Sequence, residues 1–227
     1  TNFTKRSGKS LLNLKEEKYL ILFIFLLLQV ASIAIAQNLD QKITIKANNL
    51  IDFVAEVFSH SESSAEEARR IATYLTTANL TGHDSHGVIR VPVYVRWKKT
   101  GNVVPNQTPE IVVDTPSLAV VDGKFGYGQT VTPFAVRTGI EKCRKAGLAA
   151  VALRNAGHIG RVGDWAEMAA AANLVSVHFV NAAGSLLVAP FGGVEKRLST
   201  APYCVGIPRA GQDPIVLDFA TSIVAEG

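Results

Sequence analysis

The feature that most narrows the fold is an alternation of helical and strand periods through the middle of the chain. Residues 130–146 repeat apolar side chains at helical spacing and lead into LAAVALR (148–154), a short apolar run with the length of a strand. A glycine-bearing loop follows, then a second helical stretch at 163–173 and a second strand, LVSVHFV, at 174–180. Helices and strands taken in turn predict an α/β fold, in which ligand sites gather where the chain leaves the C-terminal ends of the strands. A further strand is expected at PIVLDFA (214–220), reached through a proline-bearing connection. The last residues, SIVAEG, read as the opening of another helix, so more chain is expected after Gly227.

Ahead of this alternation the grammar is helical. In NNLIDFVAEVF (48–58) apolar residues at 50, 51, 54, 57 and 58 line one helical face. Ser63 and Ser64 stand three residues before Glu66 and Glu67, the spacing of a capping box, and predict a helix over 65–80 with Ala68, Ile71, Ala72 and Leu75 along one side. After Gly101, EIVVD and SLAVVDG are β-branched runs bounded by proline and glycine, and read as strands. The organisation expected is therefore a leader over 1–41, a helical N-terminal segment over 42–112, and an α/β domain over 113–227 that is incomplete at its C-terminal end.

The leader joins a basic stretch to an uncharged segment, Tyr19 to Ala36, ending Ala34-Ile35-Ala36. Three readings stay open: a secretory signal, a membrane anchor, or upstream sequence translated ahead of the true start, since the chain begins with Thr1 and its only methionine is Met168. Residues 1–18 also hold five of the 23 basic side chains and two of the 19 acidic ones, leaving 18 against 17 for the remainder. With no basic stripe after the leader, nucleic acid is excluded as a partner. Cys143 and Cys204 lie far apart with no CxxC pair, which points to two buried free thiols rather than to a zinc knuckle or a disulfide scaffold.

Polar chemistry concentrates in two loops. Thr81-Gly82-His83-Asp84-Ser85-His86-Gly87 ends one helix. If the following residues are helical, Arg90 and Tyr94 lie one turn apart on the same face with His86 just ahead of them. Pro92 fits that helix only in its first turn. A proton carrier, a carboxylate-binding guanidinium and a phenol then meet in one place; the plainer alternative is a helix-capping histidine beside a surface charge. The second loop, Asn155-Ala156-Gly157-His158-Ile159-Gly160-Arg161-Val162-Gly163, leaves a strand and enters a helix N-terminus, where anions are favoured. Neither it nor Gly123-Lys124-Phe125-Gly126-Tyr127-Gly128 is a GxGxxG fingerprint, and each read by itself is a turn. His83, Asp84 and His86 would suit a metal, and with it a metal-dependent hydrolase, but no further ligands or HExxH accompany them, so no metal is expected.

Six blocks, GHDSHGVIRVPVY (82–94), VVDGKFGYGQ (120–129), NAGHIGRVGDWAEMAA (155–170), VAPFGG (188–193), STAPYCVGIP (199–208) and VLDFATSIVAEG (216–227), resemble the malate/L-lactate dehydrogenase family in that family's order. The family is distinct from the Rossmann-type lactate and malate dehydrogenases. It also includes ureidoglycolate, sulfolactate and diketogulonate oxidoreductases and a cyclic-imine reductase. The resemblance implies a mixed-sheet NAD(P)-binding domain beside a helical N-terminal domain, a homodimer, a cytoplasmic location unless the leader exports or anchors the chain, and hydride transfer between NAD or NADP and a small 2-hydroxy or 2-oxo acid. It implies His86 and His158 as catalytic groups, His86 first, with Arg90 and Tyr94 contacting substrate and Asn181, Ala182, Val216, Leu217 and Asp218 contacting the cofactor. Where the family often has Asn-Ser and Gly-Thr-Asn-Pro, this chain reads Asn181-Ala182 and Ser199-Thr200-Ala201-Pro202. The competing class is an exported binding protein that keeps the fold without catalysis.

Overall fold

The computed structural model describes residues 43–182 and 184–222. Chain from Lys46 onward makes up one compact unit. The leader and the helix expected at 222–227 fall outside the described residues, except for Ser222. Among the described residues no helix is long and apolar enough to cross a membrane.

Helices α1 (Ala47–His60) and α2 (Ala65–Leu80) form where the apolar spacing places them. Ser64 caps α2 by accepting the Glu67 backbone N–H at 3.2 Å, while Ser63 Oγ donates to the Glu67 carboxylate at 2.9 Å. That carboxylate is buried and does more than close a capping box. It also accepts from the Asn106 backbone N–H at 2.8 Å and from Thr130 Oγ1 at 2.9 Å, so one acid ties α2 to a loop and to a later helix. Hydrogen bonds to both of its oxygens offset the cost of burying the group. Val54 and Phe58 from α1 meet Ile71 and Leu75 from α2 in a core that also takes Tyr94, Val103 and Tyr127. Helix α3 (Val91–Lys99) follows, with Pro92 in its first turn, where the missing N–H costs no helical bond.

Strand β1 (Glu110–Asp114) runs antiparallel to β2 (Leu118–Gly126). Helix α4 (Gly128–Ala146) then crosses over to β3 (Ala150–Ala156), which lies parallel to β2. Gly147 ends α4 at φ 80°, a left-handed position that glycine adopts without a Cβ penalty. Helix α5 (Gly163–Ala171) leads into a second sheet, β4 (Ser176–Phe179), β5 (Pro202–Arg209) and β6 (Gln212–Ala220), paired antiparallel in that order. The α/β class holds, with the first sheet mixed and the second antiparallel.

Strand β5 lies within the stretch expected only as a proline-bearing connection. Its prolines sit where a strand tolerates them: Pro202 is the first residue, and Pro208 lies at the irregularity between Ile207 and Arg209, past the end of pairing with β4. One face of this sheet packs on α5, so closely that a Cβ at Gly206 would lie 2.8 Å from the Ala166 carbonyl oxygen. Cys204 is buried there, whereas Cys143, in the last turns of α4, is only partly covered. The other face carries Val177, Leu217, Ile215, Ile207 and the aromatic row Phe179, Tyr203 and Phe219, and is largely open.

Candidate active site

Two tight turns, Asp84–His86 and Val88–Arg90, carry the first loop into α3. Asn79, near the end of α2, holds them. Its Oδ1 accepts the Val88 N–H at 2.8 Å and its Nδ2 donates to Asp84 at 2.6 Å. The Asn79 amide also occupies the space a side chain at Gly87 would need. Arg90 takes the N-cap position of α3 and Tyr94 lies one turn on, as the spacing predicts. Arg90 Nε donates to the Ser85 carbonyl at 2.6 Å, and Ser85 Oγ lies 2.9 Å from His86 Nδ1. Backbone and side chains of this loop thus hold the histidine and the guanidinium as one piece.

The second loop arrives from the end of β3. The Gly157 N–H donates to the Gly126 carbonyl at 2.8 Å, and the backbone of His158 and Ile159 fills the space a Cβ at Gly128 would take. Glycine at 128 therefore lets the first turn of α4 lie directly on the histidine loop. His158 ends with its ring stacked on that of His86, centroids 5.3 Å apart and planes 25° from parallel. Its Nδ1 lies 2.7 Å from Tyr94 Oη, and Trp97 stacks on Tyr94 at 5.6 Å while its ring also lies 6.4 Å from that of His158. Four of the predicted residues, His86, Arg90, Tyr94 and His158, come together although 64 positions separate Tyr94 from His158.

Burial is the main electrostatic fact of this cluster. It pushes the His158 imidazole down to about 3, with the neighbouring His86 and Arg90 adding to the effect, and so keeps the ring neutral. Burial likewise raises Tyr94 well above the ordinary phenol value, so its hydroxyl keeps its proton. A neutral imidazole, a protonated phenol, a second imidazole and a guanidinium can bind a small carboxylate and exchange one proton with it. The metal alternative finds no frame. Asp84 is bonded to Asn79, and among the described residues no three His, Cys, Asp or Glu side chains gather to hold an ion.

The residues expected to contact a cofactor lie on the second sheet. Asn181 and Ala182 follow β4, where the Val180 N–H donates to the Pro202 carbonyl at 3.1 Å. Val216 packs towards α5, next to the Trp165 cluster, while Leu217 lies on the open face, so neighbours in sequence turn to opposite sides. Asp218 accepts the Gly163 N–H at 2.7 Å. The anion at the α5 N-terminus is therefore the chain's own carboxylate, which answers the dipole a phosphate would otherwise meet. At the same end of the sheet Ser199 Oγ is buried without a partner among the described residues, a hydroxyl suited to a nucleotide's amide or ribose. With the exposed Asn181, that donor set fits a nicotinamide nucleotide.

Two residues of the site were not singled out by sequence. Trp97 is a further turn along α3, where i+3 spacing from Tyr94 signals it. Gln129 stands within one of the six blocks, yet nothing local marks it as part of the site. It is fully buried, and its Nε2 donates to Tyr94 Oη at 3.0 Å.

Residues 45–227 match the family model described as malate/L-lactate dehydrogenase. Hydroxycarboxylate dehydrogenase B of Escherichia coli K12 is 44% identical over 181 residues, covering 80% of this chain and 50% of that protein. The malate dehydrogenase of Pyrococcus abyssi is 38% identical over 83% of this chain and 51% of its own length. The solved sulfolactate dehydrogenase of Methanocaldococcus jannaschii superposes with a TM-score of 0.75 at 33% identity, covering 81% of this chain and 52% of that one. The chain spans about half the length of these relatives.

Proposed function

Because the chain belongs to the malate/L-lactate dehydrogenase family, we propose that it works as an NAD- or NADP-linked oxidoreductase of small 2-hydroxy and 2-oxo acids. The observation that supports this reading best is the stacked His86–His158 pair with Arg90 and Tyr94 beside it. The relatives named for hydroxycarboxylate, malate and sulfolactate share a carboxylate next to an oxidisable hydroxyl, the pattern this set can recognise.

In the oxidative direction Arg90 holds the substrate carboxylate, its own position secured by the bond to the Ser85 carbonyl. His86 accepts the hydroxyl proton as C2 loses hydride, becoming imidazolium, and returns it to the oxygen in the reverse direction. His158 stays neutral and hydrogen-bonds the reacting oxygen. The nicotinamide, when bound, supplies the hydride acceptor or donor. Asn181, Ala182, Ser199 and the 216–218 segment of β6 are the residues that would hold it. Homodimeric assembly and a cytoplasmic location belong to the same proposal and rest on the family resemblance. Neither the hydrolase nor the non-catalytic binding protein is favoured by any feature of the site.

The test is an absorbance assay on the full natural product of the gene, offered NADH and NADPH with pyruvate, oxaloacetate, sulfopyruvate and other small 2-oxo acids. Consumption of reduced nucleotide with one of them is expected and names the substrate. Silence across the whole panel overturns the reading.

A further inference from the structure

We infer that Gln129 is a positioning residue: by donating to Tyr94 it turns the phenol proton towards His158 Nδ1 and so holds His158 as its neutral Nε2–H tautomer. His158 then presents a hydrogen-bond donor to substrate oxygen, and His86 is left to move the proton. This division of labour rests on the dehydrogenase reading; the tautomer itself does not.

The argument is a proton count. Tyr94 Oη owns one hydrogen. The Gln129 amide sits 3.0 Å away and donates, which commits the oxygen's good in-plane acceptor position. The hydroxyl proton has two acceptors in reach, His158 Nδ1 at 2.7 Å and the His158 carbonyl at 3.3 Å, and the shorter contact takes it. An Nδ1 that accepts carries no hydrogen, so a neutral ring must carry its hydrogen on Nε2. The basic groups around the ring are His86 on its face and Arg90 beyond, and after burial, the larger cause, both disfavour imidazolium at His158.

Gln129 is also a poor choice for stability alone. Its Oε1 is buried with no partner among the described residues, and an apolar side chain of similar size would avoid that loss. Space is kept for the amide as well: Gly160 sits at φ +73°, and a Cβ there would lie 2.9 Å from Gln129 Nε2. A buried amide retained with half its hydrogen bonding unmet, aimed at the phenol that touches a site histidine, is what a proton-orienting residue looks like.

The experiment is long-range proton–nitrogen NMR on the full gene product labelled with 15N-histidine, titrated from neutral pH downwards. His158 is expected to show a bare Nδ1 and a protonated Nε2, unchanged until well below the ordinary histidine range. A protonated Nδ1 with a bare Nε2, which an inverted Gln129 amide would produce, or an imidazolium at neutral pH, overturns the inference. Gln129→Glu, once its carboxyl is ionised, should reverse the tautomer, because a carboxylate accepts the Tyr94 proton and leaves the phenol oxygen to accept from Nδ1–H. Retention of the Nε2–H form in a folded variant whose introduced carboxyl is ionised by its 13C shift would also overturn it, and if that variant fails to fold or stays protonated the wild-type spectrum still decides. With an active enzyme, Gln129→Leu should lower kcat roughly tenfold with little change in KM, the pattern of an interaction made in the transition state. An Nε2–H ring in a protein that oxidises no nucleotide would sink the dehydrogenase reading and leave the tautomer standing.

Discussion

The core around Tyr94 and the sheet β4–β6 differ in how completely they are enclosed. Tyr94 is closed in on all the sides its described contacts show: Phe58, Tyr127 and Trp97 pack the phenol, and Gln129 and His158 bond it. The sheet is packed on one side by α5, while its other side leaves Phe179 at 81% exposure and Leu217 at 54%. Strands apolar on both faces are the signature of a sheet covered on both. The lesson is that the phenol at the centre of the first region is enclosed by described side chains, whereas the sheet has only one of its two faces covered among the described residues.

Several substitutions can break that contrast. The largest effect belongs to the enclosed core: Leu75→Ala, at a residue with no exposure, should cost about 2–5 kcal/mol, read by denaturant unfolding. A value below 1 kcal/mol would mean the core relaxes in a way the packing does not suggest. His86→Ala should lower kcat by at least about a hundredfold while leaving stability close to wild type. A near-normal rate would transfer the proton to another group and undo the roles given to the two histidines.

Asp164 sharpens the comparison through pH. Its carboxyl, buried beside Arg161 and Glu167 at the start of α5, is raised by burial to about 6 from an ordinary 3.8. The folded protein holds that proton more tightly than the unfolded chain, so the stability this group contributes is full below about pH 4 and is lost as pH rises through about 6. Asp164→Asn should therefore flatten that part of the dependence of Tm on pH. An unchanged slope would show that the Arg161 pair, not burial, governs the group. The smallest effect is expected on the open face, where Leu217→Ala should change stability by less than about 0.5 kcal/mol. A core-sized loss there in the full gene product would show that the face is covered in it.

Much of the first region was legible in its residues. Capping of α2 by Ser64 and the one-turn spacing of Arg90 and Tyr94 both depend on contacts a few positions apart, and both hold. Pro92 resolves as a first-turn proline for the same local reason. Strand β5 was not legible, because its prolines argue locally against a strand and only pairing with β4 and β6 shows that they fall where no ladder bond is lost. Asp218 could be seen as polar and strand-borne, but not as the partner of Gly163, which lies 55 positions earlier.

The order of elements apart from β5, the α/β class and the residues able to do acid–base and carboxylate chemistry follow from the sequence by itself, since helical periods, caps and strand runs are short-range properties of the chain. Which nitrogen of His158 carries its hydrogen, why Gln129 is a glutamine, and which carboxylate answers the α5 dipole were decided only by the tertiary structure. Each of these is a hydrogen bond or charge contact between residues brought together from distant positions, and its energy depends on burial and on distances of about 3 Å, which no spacing in a sequence encodes.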